Sequence, residues 1–425
     1  MLDIHNEKIR SQLFHGWFGL EKEALRVTGE GRFAHTPHPF PGHPHIVRDF
    51  CENQTEINTG ISATAEEALK ELERYTAEVN DMLKKLPERE YLWCFSNPPF
   101  IEKETDIPIA QFYGTEAPKT KYREYLSERY GRYKMSLCGI HVNYSFGDEL
   151  LQTAFEISDK QDFAAFKNTL YLSLAQKLAS FGWIVTVLTA ASPIMDSSYV
   201  EKGKLGGDSF MGMASVRCSE LGYWNHFVPV FDYSNLDAYV NSIERYVLDG
   251  LIAYPSELYY PIRLKPRGEN SLEALREKGV SHIELRMVDL NPLTRSGLDV
   301  RDLKFIQLLL IWLVSQKEEA FPIEAQVQAV QNFKNAAHYD LKTVKIYAQN
   351  GVVLSIADAG LLIIKHMKEF FEGFDAELKD ILEFEEEKLI DPEKRYSWQI
   401  RQKYGKNYSL KGLQLAKERI EENYN

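Results

Sequence analysis

Glu21 and Glu23, in the stretch Gly19-Leu20-Glu21-Lys22-Glu23-Ala24-Leu25-Arg26-Val27, alternate along what reads as a β-strand. Both side chains should therefore leave the same face. Far along the chain, His282-Ile283-Glu284-Leu285-Arg286-Met287 repeats the charged alternation, with an arginine two positions after the carboxylate. Charge at period two calls for a sheet with one polar face, and its recurrence points to a metal and phosphate site rather than two decorated edges. Carboxylates on a rigid sheet can hold divalent cations while arginine meets phosphate oxygens, which is the equipment an ATP-dependent ligase requires.

The chain has 425 residues, enough for a large core, and no glycine-serine linker, low-complexity run or internal repeat divides it. One catalytic unit over residues 1–425 is expected, because the acidic signals are useful only if one fold gathers them. The 50 basic and 62 acidic residues give a net charge of -12, which speaks against a nucleic-acid partner held by phosphate neutralisation. Cys51, Cys94, Cys138 and Cys218 lack the paired spacings of zinc or redox motifs, so a reduced, cytoplasmic protein is the default. The N-terminus reads as no signal peptide, and no apolar run reaches membrane-spanning length. The run KFIQLLLIWLV is a buried helix by this reading, and no obligatory protein partner is inferred.

Strand signals over residues 17–59 are interrupted by TPHPFPGHPH, an expected ordered loop. Thr64 and Glu67 offer a capping box to a helix against the sheet. YREYLSERYG reads as a second helix, GIHVNYSF as a strand, and Asp162 to about Leu188 as helical. Residues 210–300 read as arginine-bearing loops with a short strand and the turn Asp289-Leu290-Asn291-Pro292; residues 302–425 are mostly helical. Antiparallel strands among long helices, without a glycine-rich nucleotide loop, favour an α+β fold over a doubly wound sheet.

Glu21 and Glu23 are the first candidate metal ligands, and Asp49, Glu52 and Glu56 of DFCENQTEIN form a second acidic cluster. Its spacing converges on a helix, while Glu52 and Glu56 also share a face in a strand; solvated charge is the competing reading. Hard oxygen ligands suit Mg²⁺. His141 and Asn143 alternate on one strand face, where His141 has a phosphate contact, a metal bond or a structural role open to it. Arg217 and Arg286 are candidate phosphate contacts, with salt bridges as the alternative. Tyr122, Tyr223 and Tyr259, with Arg123 nearby, are candidates for a substrate wall or for core packing.

GLEKEALRV, DFCENQTEI, YREYLSERYG, GIHVNYSF, VRCSELGY, SELYYPIR and HIELRMVDLNP follow one another between residues 19 and 320. In this order they resemble bacterial-type glutamate-cysteine ligase, also found as the front part of fused glutathione-synthesising enzymes. The resemblance implies a glutamine-synthetase-like antiparallel catalytic sheet wrapped by helices. It implies metal positions at Glu21, Glu23, Asp49, Glu52, Glu56, His141 and Glu284. Nucleotide positions would be Glu21, His141, Asn143, Arg217 and Arg286, the two arginines also acting on phosphate in catalysis. Phe50, Tyr122, Arg123, Tyr223 and Tyr259 match substrate-pocket segments. The implied partners are L-glutamate, L-cysteine and ATP, with Mg²⁺, or alternatively Mn²⁺, and a γ-glutamyl phosphate intermediate. The tail after about residue 320 is less diagnostic, the chain has no room for a further ATP-grasp module, and LGGDSFMGMAS before Arg217 departs on the acceptor side. A ligase with another amine acceptor and a nonenzymatic metabolite-binding protein are the alternatives.

Overall fold

Seven segments pair into one antiparallel sheet in the computed structural model, which describes residues 2–202, 207–222, 224–317, 319–348 and 351–422. They are β1 (Gly16–Val27), β2 (Ile46–Arg48), β3 (Gln54–Asn58), β4 (Tyr91–Leu92), β5 (Gly139–Phe146), β6 (Ile262–Lys265) and β7 (His282–Asp289). The order is β2-β3-β1-β5-β7-β6, with β4 paired to the end of β1. Register fixes the faces. Leu20 lies opposite Val142, Val142 opposite Leu285, and Leu285 opposite Ile262, so one face is a continuous apolar row. Leu20, Val142 and Leu285 are each no more than 1% exposed. Burial of side chains this size stabilises by about 1.5–3 kcal/mol each.

Helices cover that face. In α1 (Ala65–Lys85), Ala68, Leu72, Val79 and Leu83 recur at helical spacing and turn towards β1. Thr64 caps it by accepting from Glu67 N at 3.1 Å, but the Glu67 carboxylate reaches Ala63 N, at 3.2 Å, instead of completing the box at Thr64. YREYLSERYG falls in α2 (Ala117–Tyr130). The helical stretch from Asp162 is two helices, α3 (Phe163–Phe181) and α4 (Trp183–Thr189), bent by 56°. Among the described residues no single helix is long and apolar enough to cross a membrane, and all of α4 is buried.

Residues 210–300 hold more structure than loops and a short strand. Besides β6 and β7 they form α5 (Leu236–Leu248) and α6 (Leu272–Lys278). Asn235 and Ser271 start these helices by accepting from Ala238 N and Ala274 N. KFIQLLLIWLV lies in α7 (Val300–Ser315), buried as its composition requires. Lys388 of α8 (Ala376–Ile390) ties it down, with Nζ 2.6 Å from Asp302 Oδ1. The last long helix, α9 (Tyr408–Glu421), lies against Trp93, whose ring leaves no room for a Cβ at Gly412. Buried apolar residues from Leu2 to Ile420 form one connected core.

Lys22 is a buried charge on the apolar face, opposite Ile57 and Ile140. Burial depresses its pKa from 10.5 to about 8, with the Cys94 and Glu73 charges opposing the shift. As pH falls from 10.5 to 8 the unfolded chain takes up this proton before the folded one, so the cost appears across that window and is full below it. Lys22→Met is expected to raise stability by about 1–3 kcal/mol at neutral pH. Paired thermal melts should show the gain shrinking towards pH 10.5; equal stability at pH 7 would contradict it.

Candidate active site

The polar face is assembled from five neighbouring strands. Glu56 lies opposite Glu23, Glu21 opposite His141, and Asn143 opposite Glu284, which in turn faces Arg263. Glu21, His141 and Glu284 each offer a ligand atom within 4.8 Å of the others, a set able to hold a metal ion. His141 Nδ1 lies 3.1 Å from Glu21 Oε2 and 3.4 Å from Glu284 Oε1; its Nε2 lies 3.9 Å from Glu23 Oε1. Asn143 Nδ2 donates to Glu21 Oε1 at 2.9 Å. Glu284 Oε2, though buried, accepts no hydrogen bond among the described residues. An oxygen left in this state, beside the Glu21 carboxylate and the His141 imidazole, fits a hard divalent cation.

Both arginines of the sequence reading reach this face. Arg286 Nη1 lies 3.5 Å from Glu284 Oε1. Arg217 Nη1 donates to the Arg286 carbonyl at 2.7 Å and its Nη2 lies 3.4 Å from His141 Nε2. Arg217 and Arg286 also line a small cavity with Tyr259, Trp224 and Cys218. Lys265 and Arg263 on β6 were absent from the sequence-based set, yet Lys265 Nζ lies 3.6 Å from Glu284 Oε2. Their alternation in Ile262-Arg263-Leu264-Lys265 was the available signal.

The remaining predicted residues are more dispersed. Asp49 and Glu52 belong to the β2–β3 connection, not to a helix, while Glu56 is in β3. Asp49 stands beside Arg123, whose Nε donates to the Asp49 carbonyl at 2.6 Å. Glu52 is engaged elsewhere: its oxygens accept from His38 N and Gln111 N, both at 2.8 Å, and Arg48 Nε is 3.1 Å away. It joins three chain segments outside the Glu21–His141–Glu284 set. Phe50 is buried, Tyr122 accepts from Ser256 Oγ at 3.1 Å, and Tyr259 is buried with its ring edge-on to Tyr130. Tyr223 lies outside the described residues.

Proton occupancy follows from this crowding. Burial, reinforced by the Asp49, Glu21 and Glu23 charges, lifts Glu56 to about 8. Burial and the Arg286 charge oppose protonation of His141, but hydrogen bonds to Glu21 and Glu284 and the Glu23 charge outweigh them and lift it to about 9. Glu284 goes the other way: burial would raise it, yet Arg286, His141 and Lys265 hold it well below the usual carboxylate range. A folded pKa of about 9 against 6.5 for His141 gives stability that is full below 6.5 and lost as pH rises through 9. Glu56, raised from 4.5 to about 8, contributes in the same direction between those values. Melting temperature in chelator is therefore expected to fall from pH 6.5 to 9, and saturating Mg²⁺ to remove the fall, because the cation displaces these protons. A magnesium-independent slope would count against metal binding here.

With this geometry in hand, a model of the family described as glutamate-cysteine ligase matches residues 1–255 and 247–336. The chain belongs to the glutamate-cysteine ligase family. The bifunctional glutathione biosynthesis protein GshAB of Listeria monocytogenes serotype 4b is 35% identical over 99% of this chain and 57% of its own length. This chain thus spans little more than half the length of that curated relative. Among solved structures, a bifunctional glutathione synthetase from Pasteurella multocida superposes with a TM-score of 0.84 at 28% identity, covering 98% of this chain and 54% of its own. A Francisella tularensis glutamate-cysteine ligase superposes with a TM-score of 0.85 at 23% identity, over 96% of this chain and 88% of its own, a likeness of fold. The expected α+β fold, an antiparallel sheet wrapped by helices, is thereby found.

Proposed function

We propose that this chain is one catalytic unit that joins the γ-carboxyl of L-glutamate to the amino group of L-cysteine, using ATP. The observation that carries the reading is the Glu21–His141–Glu284 set with Arg217 and Arg286 beside it, on one sheet face of a family member. Glu21, His141 and Glu284 would hold a divalent cation, with Asp49 and, once the cation displaces their protons, Glu23 and Glu56 adding negative charge. The cation, when bound, neutralises nucleotide phosphate and keeps it in line for transfer.

The glutamate γ-carboxylate attacks the terminal phosphorus of ATP, ADP leaves, and a γ-glutamyl phosphate results. Arg286 and Arg217 offset charge on the transferred group, with Asn143 and Lys265 positioned to contact phosphate oxygens. The cysteine amine then attacks the acyl carbon, phosphate departs, and the amine proton passes to phosphate or solvent. Cysteine's thiol forms no bond. Phe50, Tyr122, Arg123 and Tyr259 form the substrate side, where rings exclude water and hydroxyls orient polar groups. Tyr122, pushed up to about 12 chiefly by burial, stays a neutral hydroxyl throughout the working range.

Purified protein given ATP, Mg²⁺, glutamate and cysteine should yield ADP, phosphate and γ-glutamylcysteine, identified by mass. A different amide from an amine panel would select another acceptor. Nucleotide binding without any product would favour a metabolite-binding protein.

A further inference from the structure

The turn opened by Asp289 has no part in the chemistry above, yet this carboxylate is one of the best-connected buried groups beneath the site. A bulge brings it there. β7 pairs Leu285 with Val142 but Val288 with Ile140, so Arg286 and Met287 together face His141. The extra residue reverses the alternation, and Asp289 emerges opposite Gly139, on the face of His141.

Asp289 is 1% exposed. Its Oδ2 accepts from Ala191 N at 2.9 Å and Ser192 Oγ at 2.7 Å, and its Oδ1 accepts from Ser215 Oγ at 3.0 Å. Both hydroxyl hydrogens are thus committed, which leaves the serine lone pairs for backbone donors. Ser192 Oγ accepts from Val216 N, and Ser215 Oγ from Cys218 N, each at 3.1 Å. These are the residues on either side of Arg217. The guanidinium they deliver lies flat on Gly139, where a Cβ would stand 2.3 Å from Arg217 Cζ. Floor and tether together fix its place beside His141 and the Arg286 carbonyl.

We propose that Asp289 is a positioning residue that aims Arg217 into the site through Ser192 and Ser215. The proposal rests on the role given to Arg217 above. Asp289 touches no reacting atom. An amide at this position donates where the carboxylate accepted, so the Ser215 hydroxyl loses its acceptor and the turn around Arg217 loosens.

The test is a double-mutant cycle on the full chain, with Asp289→Asn and Ser215→Ala each made alone and on Arg217→Ala. Asp289→Asn is expected to lower kcat about tenfold with Arg217 present and less than about twofold without it, leaving KM for cysteine unchanged. Ser215→Ala should show the same dependence with a smaller loss, and decides the matter if Asp289→Asn does not fold. Equal losses in both backgrounds would make Asp289 a support of the fold alone and overturn the proposal. If the wild-type protein makes no ligated product, the assigned reaction fails. The same cycle is then read on affinity for a magnesium-bound, non-hydrolysable ATP analogue, where loss only in the presence of Arg217 supports positioning and equal loss overturns it.

Discussion

Glu284→Gln is expected to lower ATP-dependent turnover by about a thousandfold, equivalent to roughly 4 kcal/mol of transition-state stabilisation. Glu284 is 1% exposed and shares the metal-competent set with Glu21 and His141. Its charge also faces Arg286 and Lys265, at 3.5 Å and 3.6 Å. The amide keeps the volume but loses an anionic ligand and turns a donor towards cations, so the metal weakens while the core stays filled. Turnover should therefore show a raised requirement for Mg²⁺, with saturation shifted at least about tenfold. Melting temperature separates the roles: a large fall with an unchanged Mg²⁺ requirement would make Glu284 structural.

Arg286→Ala should lower kcat by about a hundredfold to a thousandfold, the size of effect found when a donor to developing charge is removed. The side chain is 17% exposed and its Nη1 lies 3.5 Å from Glu284 Oε1, beside the metal-competent set. From there the guanidinium strengthens its contact with the transferred group as phosphate charge moves in the transition state. Arg286→Lys should recover only part of the loss, because one ammonium cannot span two phosphate oxygens as a guanidinium does. Turnover unchanged in Arg286→Ala would contradict the role.

How much of this was legible in the sequence depends on whether local alternation survives. Glu21 and Glu23 share a face because β1 is regular, and His141, Asn143 and Glu284 join them by plain register. For Glu56 the spacing left helix and strand both open, and it lies in β3, whereas Asp49 and Glu52 lie in a connection where spacing says nothing about direction. Glu52 shows the limit most clearly: two backbone N–H groups from distant segments claim its carboxylate, and neither is visible near DFCENQTEI. Arg263 and Lys265 were missed because a four-residue strand gives only two repeats. Asp289 was hidden for another reason. The bulge at Arg286 and Met287 shifts parity by one, and a period-two reading then assigns it to the wrong face.

The reaction route is tested most directly by the fate of oxygen. Glutamate labelled with ¹⁸O in its γ-carboxylate, incubated with ATP, Mg²⁺ and cysteine, should transfer one labelled oxygen into each inorganic phosphate released and leave the other in the amide of γ-glutamylcysteine. Ligated product formed with unlabelled phosphate would contradict the γ-glutamyl phosphate at the centre of this account.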